Sequence, residues 1–188
     1  MSWLNSDTLF VKYGTEEAAS ARGGEYEDFD QGRHVIEFTI DWKDALSATA
    51  AVLGSVATVA NPIVGTFGVF VPEGFIPEEM ETTAVVAFTS SGTIGSADLE
   101  IGLKKASDRS TVYDADAFTS TSFVGSVFDA ANEKVLIKNG ATGVGSAFGV
   151  ALTENTVVAV RNSAHATHPY TAGVLKCRLI GRYGLASV

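Results

Sequence analysis

Between Glu81 and Lys105 one hydrophobic pattern gives way to another. Thr82-Thr83-Ala84-Val85-Val86-Ala87-Phe88 is apolar on both faces, as a central strand would be. Ala97, Leu99, Ile101 and Leu103 alternate with Asp98, Glu100, Gly102 and Lys104, a period of two with one apolar and one mostly polar face. Ser90 to Ser96 lies between them, small residues with Gly92 and Gly95 free to take positive φ. The pattern predicts a β-hairpin at the centre of a sandwich. It also predicts that Leu99, Ile101 and Leu103 share a core with Leu175, Cys177 and Leu179.

Other strands read similarly. His34 to Asp41 puts Ile36, Phe38 and Ile40 on one face. Val52 to Val59, Phe67 to Val71, Thr111 to Tyr113, Val135 to Ile137 and Thr156 to Arg161 are shorter candidates. Pro72 to Pro77 predicts a loop whose prolines interrupt any ladder. Asp114 to Phe118 is expected to start a helical turn. Gly173 to Tyr183 alternates well, with Leu175, Cys177, Leu179 and Tyr183 inward and Lys176, Arg178 and Arg182 outward. About eight to ten strands without αβ alternation predict an all-β, antiparallel sandwich of jelly-roll type.

Residues 1–33 differ from the rest. Thr8 to Tyr13 suits a short strand. Gly14 to Asp30 is polar and acidic, with Glu16, Glu17, Glu25, Glu27, Asp28 and Asp30 against a lone Arg22, a composition that does not order by itself. The expectation is an extended N-terminal arm over 1–33 and a sandwich domain over 34–188. The arm would reach a neighbouring subunit or fold back on its own domain. In the first case Leu9, Phe10, Val11 and Tyr13 supply the apolar contact. The acidic run then has a counterpart in Lys176, Arg178 and Arg182.

Length adds that one domain can bury a core without staples: 188 residues, 46% hydrophobic, with 19 glycines. The formal charge of −9, with 13 scattered Lys and Arg, argues against direct nucleic-acid binding. The lone Cys177 cannot form an intrachain disulfide and reads as a buried small hydrophobe. Met1 to Asn5 has neither the basic region nor the apolar run of a secretory signal. Ala45 to Pro72 lacks charge over a bilayer's length, but its glycines and the Asn61-Pro62 turn signal favour two buried strands over a membrane helix.

Candidate chemistry is thin. Thr142 to Gly149 is glycine-rich after a strand, yet no phosphate-binding helix follows, so a loop between strands is expected. His165 and His168 stand three apart without a clear third ligand. Asp108, Asp114 and Asp116 invite a calcium reading but lack EF-hand spacing, and solvated turn residues explain them too. No Gly-x-Ser-x-Gly elbow occurs. The expectation is therefore no catalytic residue, no metal and no cofactor.

Phe88-Thr89-Ser90-Ser91-Gly92 and Ser96 to Leu103, then Asp108-Arg109-Ser110-Thr111 and Asp114 to Phe118, resemble a pattern in small structural proteins of tailed bacteriophages, often marine phages. The opening Thr8 to Thr15 and an apolar final strand near the C-terminus are similar to the same proteins. The resemblance is structural and spans the chain loosely. It implies a head protein such as a capsid-decoration, or cement, protein. Such a protein is made in the host cytoplasm and sits on the capsid exterior, often as a trimer. Its partners would be the major capsid protein and further copies of itself. It carries over no catalytic residue. A neck or tail protein, or a carbohydrate-binding sandwich with Trp3, Trp42 and tyrosines as its platform, are the alternatives.

Overall fold

The computed structural model describes residues 2–4, 10–13, 23–28, 33–45, 48–49, 51–53, 69–120, 123–140 and 144–183; before residue 33 and at residue 51, only backbone is described. Twelve strands are found there: β1 (Ser2–Leu4), β2 (Phe10–Tyr13), β3 (Gly23–Asp28), β4 (Arg33–Asp41), β5 (Ala51–Val52), β6 (Phe70–Val71), β7 (Phe75–Ser90), β8 (Glu100–Lys105), β9 (Val112–Asp114), β10 (Lys134–Lys138), β11 (Thr156–Arg161) and β12 (Tyr170–Tyr183). They form an antiparallel β-sandwich. The large sheet runs β1-β2-β3-β4-β12-β7-β10; the small one runs β5-β11-β8-β9, with β6 also on β11.

Period-two alternation sets the packing. Ile36, Phe38 and Ile40 of β4, Leu175, Cys177 and Leu179 of β12, and Met80, Ala84 and Phe88 of β7 are buried from the large sheet. Leu99, Ile101 and Leu103 meet them from the small sheet, with Val158 and Val160 of β11, in one cluster. The predicted shared core of residues 99–103 and 175–179 is present.

The predicted central hairpin is not. β7 lies in the large sheet and β8 in the small one, where it pairs with β11 from Thr156↔Lys105 to Arg161↔Glu100. The 3-10 turn Ile94–Ser96 redirects the chain between the sheets. Ala97 and Leu99 are thus core residues facing β7, not residues alongside it. Nor is β7 covered on both faces throughout, since Val85 and Val86 are exposed.

Three further expectations change. Pro77 lies inside β7, opposite Gly181, where a register shift in the β7–β12 ladder accommodates it. Asp114 to Phe118 is turn and bend rather than helix. The face of β8 read as polar is buried: Glu100 is 0% exposed and the adjoining Asp98 5%. The cover is the segment after β9, where Phe118 N donates to Ile101 O at 2.9 Å. Gly102 carries the sequence signal, since a Cβ there would stand 2.6 Å from Asp114 O and closer still to Ala115 O.

In the segment before residue 33, Gly23–Asp28 forms a strand despite its acidic composition. β1, β2 and β3 pair in succession and continue the large sheet from β4, with Tyr26↔Val35 and Glu25↔Ile36 in register. Residues 14–22, which hold Glu16 and Glu17, lie outside the described residues, as does most of the uncharged stretch 45–72. Among the described residues no helix is long and apolar enough to cross a membrane.

Candidate interaction face

The outer face of the large sheet is built from the residues that alternate with its core. On β12 these are Lys176, Arg178, Ile180 and Arg182; on β4, Arg33, Val35 and Glu37; on β7, Glu79, Glu81 and Thr83. Arg178 stands in register between Glu37 and Glu81. Its Nε donates to Glu37 Oε1 at 3.1 Å and its Nη1 to Glu81 Oε2 at 2.6 Å. Lys176 lies 4.0 Å from the other oxygen of Glu37, Arg182 3.3 Å from Glu78, and Arg33 2.5 Å from Glu79. Opposite charges directly across an antiparallel ladder stabilise its register. Each such exposed pair is worth at most about 1 kcal/mol and is screened by salt.

This arrangement locates the residues singled out in the sequence. Lys176, Arg178 and Arg182 are outward, and the carboxylates against them are Glu37, Glu81 and Glu78 of neighbouring strands. Leu9 lies outside the described residues. Val11 stands in the register row Val11–Tyr26–Val35–Ile180, and Tyr13 in the row Tyr13–Gly24–Glu37–Arg178. Phe10 occupies the alternate row, Phe10–Glu27–His34–Gly181. The topology therefore aligns Tyr13 with Arg178 and Val11 with Ile180 of β12, three strands away. Sequence alone missed Val35 and Ile180, which sit on this outer face yet are only 4% and 6% exposed and lie outside the main core.

The other constellations are structural. Ser163 Oγ and Ala164 N both donate to Asp98, so this serine hydroxyl is engaged by a carboxylate and not aimed at an imidazole. His168 Nδ1 accepts from Thr93 N at 3.0 Å, tying the turn before β12 to the turn after β7. In the glycine-rich loop, residues 141–143 lie outside the described residues, Gly145 N donates to Phe118 O at 3.0 Å, and the Phe148 ring packs on Phe118 with centroids 5.7 Å apart. That is a packed loop between strands, as expected. Trp42 packs partly buried against the core, with Lys43 Nζ 5.8 Å from its ring centre. Cys177 is buried, and burial pushes its thiol well above the usual range. Among the described residues no three His, Cys, Asp or Glu are placed to hold a metal ion.

Two side chains give direct tests. Tyr170 is 1% exposed and its hydroxyl has no hydrogen-bond partner among the described residues. An orphaned buried donor is destabilising, so Tyr170→Phe is expected to leave stability unchanged or raise it by about 1 kcal/mol in urea denaturation. A loss of that size would show that the hydroxyl has a partner. Asp108 accepts from Thr111 Oγ1 at 2.6 Å and from the Thr111 and Ser110 amides at 2.9 Å each. These bonds, the Thr111 hydroxyl's first, hold its carboxyl at about 2 against an ordinary 3.8. A depressed folded-state pKa stabilises above the unfolded value and the contribution fades as pH falls through the folded one. The turn is therefore expected to loosen between about pH 4 and pH 2, read as the chemical-shift titration of the Ser110 and Thr111 amides. Amides that titrate with an ordinary carboxylate midpoint would contradict it.

Asp116 N donates to Asp114 Oδ1 at 3.2 Å, and the Asp114 carboxyl beside it raises the Asp116 carboxyl from its ordinary value. Asp114 also accepts from Ser146 Oγ at 2.7 Å, clasping the glycine-rich loop. These carboxylates serve the turn itself.

No family model matches the chain, and no curated protein does. Among solved structures it is similar to one titled "Capsid of Ralstonia phage GP4", at 16% identity and a TM-score of 0.48, covering 92% of this chain and 91% of that one. At that identity and overlap the likeness has no functional weight.

Proposed function

We propose that the protein is a non-enzymatic structural component of a tailed-phage virion, a capsid-decoration protein on the head exterior that bridges major capsid subunits. The observation that carries the reading is the outer face of the large sheet. It spans several strands, its charges are held in place by ion pairs, and Val35 and Ile180 within it are buried. A face ordered before contact has little side-chain entropy left to lose on binding. The resemblance of Phe88 to Gly92, Ser96 to Leu103 and Asp108 to Phe118 to small tailed-phage structural proteins supports the same reading. So does the use of the Ser, His, Asp and glycine-rich constellations for internal contacts.

A protein that binds assembled heads but not separated subunits stabilises the assembly by mass action, repeated over a symmetric shell. In this reading Leu9, Phe10, Val11 and Tyr13 of the 1–33 segment, with Lys176, Arg178 and Arg182, belong to its contact surfaces. No metal, cofactor or nucleic acid takes part. The test is the temperature at which heads release their DNA. Heads lacking the protein should fail at a lower temperature, and adding it should restore them. Equal failure temperatures with and without it would overturn the clamp.

A further inference from the structure

We infer that the outer face of the large sheet is the contact surface for a second copy of this chain. The inference rests on the structural reading above and deepens it by naming one occupant of the face that carries that reading, a neighbouring copy in the assembled layer. The carrying observation is where the charges lie. The chain has 13 cations against 22 carboxylates. Among the described residues, Arg33, Lys134, Lys138, Lys176, Arg178 and Arg182 stand on this one face, by register or by ion pair. Against them stand Asp28, Glu37, Asp41, Glu78, Glu79 and Glu81. The face is therefore close to neutral, while the excess negative charge of the chain lies elsewhere.

Like-charge repulsion penalises contact between two copies of an acidic protein through most of its surface. It is least here, where each copy presents alternating carboxylates and guanidinium groups. Such a pattern is able to complement itself, Arg178 of one copy facing Glu81 of another, as a symmetric interface requires. Apolar residues stand within the same face. Leu136, in register with Glu81, is 47% exposed, and Val85, further along β7, is 54% exposed. Leu136 lies on the edge strand β10 between Lys134 and Lys138, next to the charge pairs of β7, β12 and β4, so a second copy laid over this face would bury aliphatic and paired charged groups together.

Sedimentation equilibrium on the full chain tests this. The expected result is reversible self-association that does not strengthen when salt rises from about 50 mM to about 500 mM. Leu136→Glu, at a position 47% exposed, should weaken association at least about tenfold, and Arg178→Glu likewise. Lys105→Glu, in the small sheet, should leave association unchanged. Circular dichroism confirms that each variant is folded. A chain that stays monomeric would overturn the inference. So would association that strengthens with salt, because contact would then run through acidic surfaces. Association unaffected by Leu136→Glu would overturn it as well. No phage head enters this measurement, so its failure leaves the capsid reading standing, and failure of head binding leaves this contact standing.

Discussion

Arg161→Ala is expected to cost about 3–5 kcal/mol, among the largest effects of any single substitution. Glu100 is wholly buried on the outer face of β8, beneath the segment that follows β9. Arg161, its register partner on β11, donates from Nε at 2.9 Å and from Nη2 at 2.5 Å, both to Glu100 Oε2. The other oxygen has no hydrogen-bond partner among the described residues. Removing the guanidinium leaves an uncompensated buried carboxylate, and that penalty, rather than the value of the pair, sets the size of the loss. The double substitution Glu100→Gln with Arg161→Met removes both charges and should recover most of it. Urea denaturation of the single and double variants decides the matter. A single variant within about 0.5 kcal/mol of the parent would show that Glu100 reaches water.

Gly102→Ala is expected to cost about 3 kcal/mol, near the upper end of what overpacking usually does. The added methyl would press on the backbone carbonyls of Asp114 and Ala115, which cannot rotate away as a side-chain tip could. The chain would relieve the clash by lifting the segment after β9. That movement would stretch the bonds Phe118 N makes to Ile101 O and Ile101 N to Thr119 Oγ1, and uncover Glu100. Faster amide exchange at Phe118 and Ile101 should therefore accompany the loss. A stable variant with unchanged protection would mean that the segment does not lie against β8.

Much of the sandwich is written in local alternation. The strands at 34–41, 135–137, 156–161 and 173–183 follow directly from it, as does the inward set on β12; the structure extends the second to 134–138 and the last back to 170. Connectivity was less legible, because a polar seven-residue link serves equally for a hairpin and for a crossing between sheets. The 3-10 turn at Ile94–Ser96 has no strong local signature, and burial of Ala97 and Leu99 against β7 decides the outcome. Glu100 misled for a related reason: a carboxylate at an alternating position reads as solvent-facing unless its cation is known, and Arg161 is sixty-one residues away. Gly23–Asp28 shows the same limit, since its strand comes from pairing with β4, not from its own composition.

The candidate face was half visible. The outward Lys176, Arg178 and Arg182 were found from alternation, but their carboxylates come from β4 and β7, which only the sheet order brings alongside. The neutrality of that face is likewise a property of the topology and appears in no stretch of the sequence.

Co-sedimentation of the purified full chain with phage heads that lack it tests the central claim most directly. The account predicts saturable binding, with a fixed number of copies per head and a pellet that excludes excess protein. A chain that stays in the supernatant at every concentration, with intact heads in the pellet, would contradict it.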